Sequence, residues 1–159
     1  MTSDGVPARF FILDVINKNI HVPATNVKVF VVHMTNSPDG AQWNKLPVNG
    51  PVQVSWRWPD NMPDEVEVGK EAQCTVFRIY KAGQGIQIPT MGHLPNNFHS
   101  VIKPNEHLRI TIEARADNAR SKSIILQIYW NGNWPENENV GKDLNVRVLK
   151  TRNNLWGRF

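Results

Sequence analysis

Tryptophan is the residue type in this sequence whose number and spacing most invite a binding function. The chain of 159 residues contains six Trp, and Trp130 and Trp134 flank an Asn-Gly-Asn turn signal, so both rings are expected near one loop end. Exposed aromatic faces bind sugars, cations, proline-rich peptides or unstacked bases. Packing beneath loops is the favoured interpretation of Trp130 and Trp134, and a platform of these two rings in a carbohydrate-binding module is the alternative.

The basic C-terminal end is a second candidate for ligand binding. Residues 141–159 carry five of the 18 Lys and Arg but only one of the 14 Asp and Glu, which accounts for the formal net charge of +4. Arg152, Trp156 and Arg158 combine cations with an aromatic ring, a mixture that stacks bases or lies at a membrane interface. These residues predict nucleic-acid binding as a further alternative, against the simpler interpretation of a solvated tail.

Catalytic chemistry has little support in the sequence. No nucleophile elbow, zinc-binding His-Glu-x-x-His helix, phosphate-binding loop or dinucleotide fingerprint occurs. Cys74 lies within an apolar predicted strand, where a buried thiol packs as a small hydrophobic group. We therefore expect a protein that is not an enzyme, without catalytic residues or a cofactor.

Two groups of residues are candidate metal ligands by residue type. His93, His99 and His107 have spacings that match no standard zinc or copper site, so loop or surface positions are favoured. An acidic cluster after Trp58 lacks the calcium-loop pattern and is expected to be a solvated loop. It consists of Asp60, Asp64, Glu65 and Glu67. No metal site is predicted.

The composition limits the class of protein. Hydrophobic residues make up 40% of the chain, yet wholly apolar runs reach only four residues, as at 29–32, far short of a membrane span. One cysteine excludes a disulfide scaffold, and no secretory signal is visible. The chain is expected to be soluble as given, or the extramembrane part of a membrane-attached protein whose anchor lies in segments outside this sequence; the compartment stays open.

Alternation with period two dominates the sequence and predicts strands. Residues 52–58, 108–115 and 144–148 alternate apolar and polar side chains, as half-buried strands do. Residues 10–16, 27–34 and 124–130 are apolar on both faces, which favours central strands, and residues 72–80 form another candidate strand. Pro, Gly, Asn and Asp turn signals separate these segments, and residues 87–104 are predicted to be a long irregular connection.

Many short strands with such turns and no helical pattern predict an all-β fold. The best match is an antiparallel immunoglobulin-like β-sandwich of about seven or eight strands, and a closed barrel is the alternative. We expect one domain over residues 9–150, with flexible ends at 1–8 and 151–159.

Two segments of the sequence resemble a known family. Residues 13–19, which read Leu-Asp-Val-Ile-Asn-Lys-Asn, lead into Pro-Ala-Thr-Asn-Val-Lys-Val at 23–29, and a Val-Gly-Lys-Glu turn follows at 68–71. This order resembles the opening strands of immunoglobulin-like accessory domains of bacterial proteins, of the cell-adhesion-related kind. Asn19 or Ile20 stands where that family usually has Gly. The resemblance implies a noncatalytic sandwich that spaces, docks or binds.

The leading functional hypothesis is therefore a noncatalytic structural or protein-interaction module. A protein is the expected partner; carbohydrate and nucleic acid are the alternatives described above. An open sandwich leaves edge strands with unpaired backbone groups, which accept a partner strand or form a dimer. The sequence does not identify which edge would do so.

Overall fold

Eleven β-strands carry the fold in the part of the chain that the computed structural model describes, namely residues 5–48, 50–57, 65–81, 85–91, 101–134 and 140–149. Five of these strands are only two or three residues long. In chain order they are β1 (Ala8–Ile16), β2 (Ala24–Ser37), β3 (Asn44–Lys45), β4 (Val52–Gln53), β5 (Val66–Val68), β6 (Glu71–Tyr80), β7 (Ile86–Gln87), β8 (Val101–Ile102), β9 (His107–Arg115), β10 (Ile124–Trp130) and β11 (Leu144–Leu149), with a 3₁₀ helix at Val140–Lys142 before β11.

The smaller sheet has four antiparallel strands in the order β1-β6-β7-β8. Its main contact is the β1–β6 pair, which runs from Ala8 opposite Tyr80 to Ile16 opposite Glu71, with a bulge between Phe11 and Ile12. Phe11 stacks on Phe77, with ring centroids 4.2 Å apart. Such cross-strand aromatic pairs stabilise a sheet and fix its register.

The larger sheet has seven strands and is built around the 14-residue β2. One side of β2 pairs with β9, and the sheet continues through β10 to β11. The other side of β2 pairs in succession with the short strands β5, β4 and β3. This order places β11 at one end of the larger sheet.

The core lies between the two sheets and follows from the alternation of each strand. Along β2, Val27, Val29 and Val31 are buried, and β9 contributes Leu108, Ile110 and Ile112 to the same layer. Cys74, Phe77 and Ile79 of β6 contribute to the facing layer. Because successive side chains point to opposite faces, the named residues of β2 and of β9 share the inward face while their neighbours face outward.

The structure confirms the all-β fold with two antiparallel sheets as in a β-sandwich. All but one of the predicted strand segments correspond to long strands; the exception is 52–58, of which only Val52–Gln53 is regular strand. The very short strands explain why more strands occur than the seven or eight expected, since two residues show no alternation. One placement was wrong: β1 is an edge strand and not a central one, and its apolar outer residues Phe10, Ile12 and Ile16 are exposed.

Candidate interaction site

β1 leaves one side of its backbone open. It pairs with β6 along nine residues, and among the described residues no strand pairs with its other side. About half of the N–H and C=O groups of a strand point to each side, so β1 presents a row of donors and acceptors. An extended segment lying alongside β1 would satisfy them.

Residues 52–57 cross from one sheet to the other and show how the sheets are aligned. The Val54 N–H still donates to the Val29 carbonyl beside β2, at 2.9 Å. Two residues later Trp56 pairs with Cys74 of β6, on the side of β6 that faces away from β1. The Thr75 N–H donates to the Ser55 carbonyl at 3.0 Å. The side of β2 that faces away from β9 and the side of β6 that faces away from β1 therefore lie at the same side of the sandwich.

Counted from that side, the two sheets differ in width. The smaller sheet continues through β6 and ends at β1, whereas the larger sheet continues through β2, β9 and β10 to β11. Beyond the crossing segment, two strands of the smaller sheet therefore lie over four strands of the larger sheet. In this count, none of the described strands of the smaller sheet lies opposite β11.

The exposure of β11 agrees with this offset. Val146 lies opposite Ile128 and Val148 opposite Leu126, so both valines are on the inner face of the larger sheet. Leu144, on the same face, is 1% exposed, but Val146 is 40% and Val148 is 61% exposed. The inward-facing residues of β11 are therefore covered by the core at Leu144 and exposed to solvent at Val146 and Val148. We call the open side of β1 together with Val146 and Val148 the β1–β11 groove.

Trp134 lies near one end of the β1–β11 groove. It is partly buried against the core, and the guanidinium of Arg9, at the start of β1, lies 5.5 Å from the centre of its ring. The turn before it is fixed by Asn131, whose side-chain oxygen accepts the Asn133 N–H at 2.9 Å. Of the predicted platform residues, Trp134 is the one that the structure brings next to a candidate surface.

The other predicted platform residue, Trp130, lies in the core. It is 1% exposed, and its indole N–H donates to the Asn133 carbonyl at 2.8 Å. An exposed platform of Trp130 and Trp134 is therefore not formed, because the β10 alternation turns Trp130 inward. Arg152, Trp156 and Arg158, and with them the predicted nucleic-acid surface, lie outside the described residues. Trp56 is buried, as expected from its strand position.

The residues considered for chemistry are held in structural roles where they are described. Cys74 is fully buried, and this burial raises the pKa of its thiol to about 12, so the thiol stays protonated at neutral pH. His107 packs against Tyr129, with ring centroids 4.6 Å apart. Glu65 pairs with Lys28 at 3.2 Å. His93, His99, Asp60 and Asp64 lie outside the described residues.

The described part of the chain has neither a cluster of metal-ligating side chains nor a membrane-spanning helix. Among those residues, no group of three or more His, Cys, Asp or Glu side chains is arranged to hold a metal ion. None of the helical segments described has the length and apolar content needed to cross a bilayer.

Sequence reasoning missed Val146 and Val148, since their alternation is the same as that of a covered strand. The sequence contains no local pattern that distinguishes them. Their exposure can be inferred only from the order in which the strands pair in the two sheets. Comparison of the chain with protein-family models, with curated proteins and with solved structures finds no match. The geometry of the site therefore carries the functional argument.

Proposed function

We propose that this domain is a noncatalytic protein-interaction module that binds one extended segment of a partner protein along β1, in the β1–β11 groove. The observation that carries this proposal is the exposure of Val146 and Val148 on the inner face of β11, the strand that ends the larger sheet at the side where β1 ends the smaller one. An added strand would occupy the position that the smaller sheet lacks. Its inward side chains would then cover the two valines.

The chemistry of the groove defines the segment that fits it. Backbone hydrogen bonds to β1 supply affinity without regard to sequence, and side chains at alternate positions supply specificity. Two apolar residues spaced two apart would reach Val146 and Val148, because alternate residues of a strand share a face. Covering the remaining surface of each valine contributes roughly 1 kcal/mol. The expected ligand is an extended peptide of about six to nine residues with an apolar alternation.

A second copy of this chain fits the groove less well than a single segment. Pairing β1 with β1 of another molecule would bring the two larger sheets toward the same space, because each β11 extends past its own β1. An isolated strand has no second layer and avoids this collision. A single peptide segment is therefore the proposed occupant of the groove. Self-association is the alternative that the experiment below distinguishes.

The noncatalytic part of the proposal rests on the sequence and on Cys74. None of the sequence motifs that mark common enzyme classes occurs, and the nucleophilic thiolate is disfavoured by the raised pKa of Cys74. We also propose a relationship to the immunoglobulin-like accessory domains of bacterial proteins. Its support is the resemblance at residues 13–29 and 68–71 together with the two-sheet antiparallel fold.

Selection from a displayed library of random peptides of about nine residues tests the proposal. We expect the selected peptides to share apolar residues two positions apart and to slow hydrogen exchange of the β1 amides in the complex. Val148→Lys places a charge under the added strand and should weaken binding by about 10-fold or more. Ile20→Lys is the matched control, since Ile20 is 72% exposed in the connection between β1 and β2; it should bind as wild type.

Several results would contradict the proposal. Peptides that bind equally well to the Val148→Lys variant, or that leave β1 exchange unchanged, would place the interaction elsewhere. Failure to select any peptide would remove strand addition as the function. A dimer whose β1 amides are protected without peptide would show that a second copy occupies the groove.

A further inference from the structure

The outer face of the larger sheet carries polar and aromatic side chains in two cross-strand rows. His107 of β9, Tyr129 of β10 and Asn145 of β11 lie opposite one another in the first row. Arg109, Gln127 and Arg147 form the second row. These residues alternate with the core residues of the same strands, so they face away from the β1–β11 groove.

Neighbouring contacts hold this face in a fixed arrangement. The Arg109 Nε donates to the Gln127 Oε1 at 2.9 Å, and the guanidinium carbon lies 3.6 Å from the centre of the Trp43 ring. The loop that carries Trp43 is fixed by Asp39, whose carboxylate accepts the N–H groups of Ala41 at 2.8 Å and Gln42 at 3.0 Å. Arg109 thus contacts both Gln127 and Trp43, and its hydrogen bond fixes the orientation of the Gln127 amide.

A depression of about 300 Å³ lies on this face. Its lining consists of His107, Gln127, Tyr129, Gly141, Lys142, Asn145 and Arg147. Lys142 and Arg147 are exposed, and none of the described lining residues carries a carboxylate. The nearby Asp143 carboxylate accepts the Asn131 side-chain N–H at 2.9 Å. The depression therefore offers two cations that no lining acid neutralises.

We infer that this depression binds an acidic saccharide, with the acid group at Arg147 and Lys142, the sugar hydroxyls at Gln127 and Asn145, and a ring face against Tyr129. Arginine recognises carboxylate and sulfate through two parallel hydrogen bonds, and amide side chains both donate to and accept from hydroxyls. An aromatic ring supplies the apolar contact that orients a ligand in a small pocket. This inference is independent of the strand-binding proposal, because it concerns the opposite face of the larger sheet.

A saccharide fits this face better than a single-stranded nucleic acid does. Nucleic-acid platforms present several separate aromatic faces on which successive bases stack. Here Tyr129 is the one phenol ring among the described lining residues, and the guanidinium of Arg109 covers a face of nearby Trp43. The volume of about 300 Å³ is at the lower end for small-molecule sites and suits one or two sugar rings.

Titration calorimetry with a hyaluronate hexasaccharide at low salt tests this site, with a neutral chitin hexasaccharide and a single-stranded oligonucleotide as comparison ligands. We expect binding of the acidic sugar only, weakened about 5-fold or more by Arg147→Gln through loss of a charged hydrogen-bonding partner. Lys70→Gln is the matched control, because it removes one exposed positive charge from the β5–β6 turn. It should leave the affinity unchanged.

Each alternative result would overturn the inference in a recognisable way. Absence of hyaluronate binding at low salt removes the site. Equal weakening by Lys70→Gln shows that net charge alone attracts the sugar. Equal binding of the neutral sugar excludes a role for the cations, and tighter binding of the oligonucleotide identifies a nucleic-acid surface instead.

Discussion

Cys74 is buried on β6 between Leu13 of β1 and Trp56, which pair with it from either side. Desolvation raises the pKa of this thiol to about 12. Because the thiolate is the reactive form, we expect alkylation by iodoacetamide at about pH 8 to be at least 100-fold slower in the native protein than in urea. Mass spectrometry after timed quenching measures both rates. Similar rates in the two conditions would mean that the β1–β6 pair opens readily.

Glu113 is the most strongly paired carboxylate among the described residues. Its carboxylate accepts hydrogen bonds from Arg120 Nε at 2.9 Å and Arg115 Nε at 2.5 Å, and these contacts lower its pKa from 4.5 to about 2. A carboxylate whose pKa is lower in the folded state stabilises the fold above its unfolded pKa. That contribution is lost as the pH falls through the folded pKa.

Glu113→Gln should therefore destabilise the protein at neutral pH. We expect the difference in urea midpoint between wild type and this variant to shrink between about pH 5 and pH 2, where the wild-type carboxylate becomes protonated. Glu71→Gln is the control, since Glu71 is exposed at the start of β6. A difference that does not change with pH would show that Glu113 acts through packing and not through its charge.

At the scale of the elements, the turn after β10 depends on Gly132. Its φ is 92°, and a Cβ at this position would lie 2.8 Å from the Pro104 Cβ. Gly50 has a similar φ of 86° but no neighbouring atom within 4 Å of such a Cβ. Gly132→Ala should cost about 2 to 4 kcal/mol, from backbone strain plus the clash, whereas Gly50→Ala should cost about 1 kcal/mol from strain alone. Urea denaturation measures both, and equal costs would mean that the Pro104 contact relaxes.

β11 changes from covered to uncovered along its inner face, and stability should follow this gradient. Leu144→Ala removes a side chain that is 1% exposed and should cost about 2 to 4 kcal/mol. Val148→Ala, on the same face, should change the free energy of unfolding by no more than about 0.5 kcal/mol. Chemical denaturation compares the two variants. A large loss for Val148→Ala would show that another part of the chain covers the β1–β11 groove.

At the scale of the whole molecule, residues 52–57 connect the two sheets by bonding to β2 and then to β6. The sheets also share one core, to which β2, β6, β9 and β10 all contribute. We therefore expect the domain to unfold in one cooperative step, with coincident urea transitions by Trp fluorescence and far-UV circular dichroism. Separate transitions would mean that one sheet persists when the other has unfolded.

The sequence by itself determined the strands and the local environment of several residues. Alternation with period two is a property of each strand alone, and it correctly indicated the strands that became β9 and β11. Segments that are apolar on both faces indicated β1, β2 and β10, and residues 72–80 were a further candidate that became β6. It also indicated the buried positions of Cys74 and Trp56. Turn signals such as Val-Gly-Lys-Glu at 68–71 depend on a few adjacent residues, and the structure has a turn there between β5 and β6.

Only the tertiary structure decided which faces are covered. Alternation shows that Leu144, Val146 and Val148 share a face, but the coverage of that face depends on a sheet made from distant parts of the chain. The same holds for β1, whose apolar composition favoured a central position although it lies at an edge of the described sheet. It also holds for Trp130, for which the sequence left both packing and an exposed platform open and which is buried. Strand order and sheet width are set by contacts between segments far apart in sequence, and no local pattern records them.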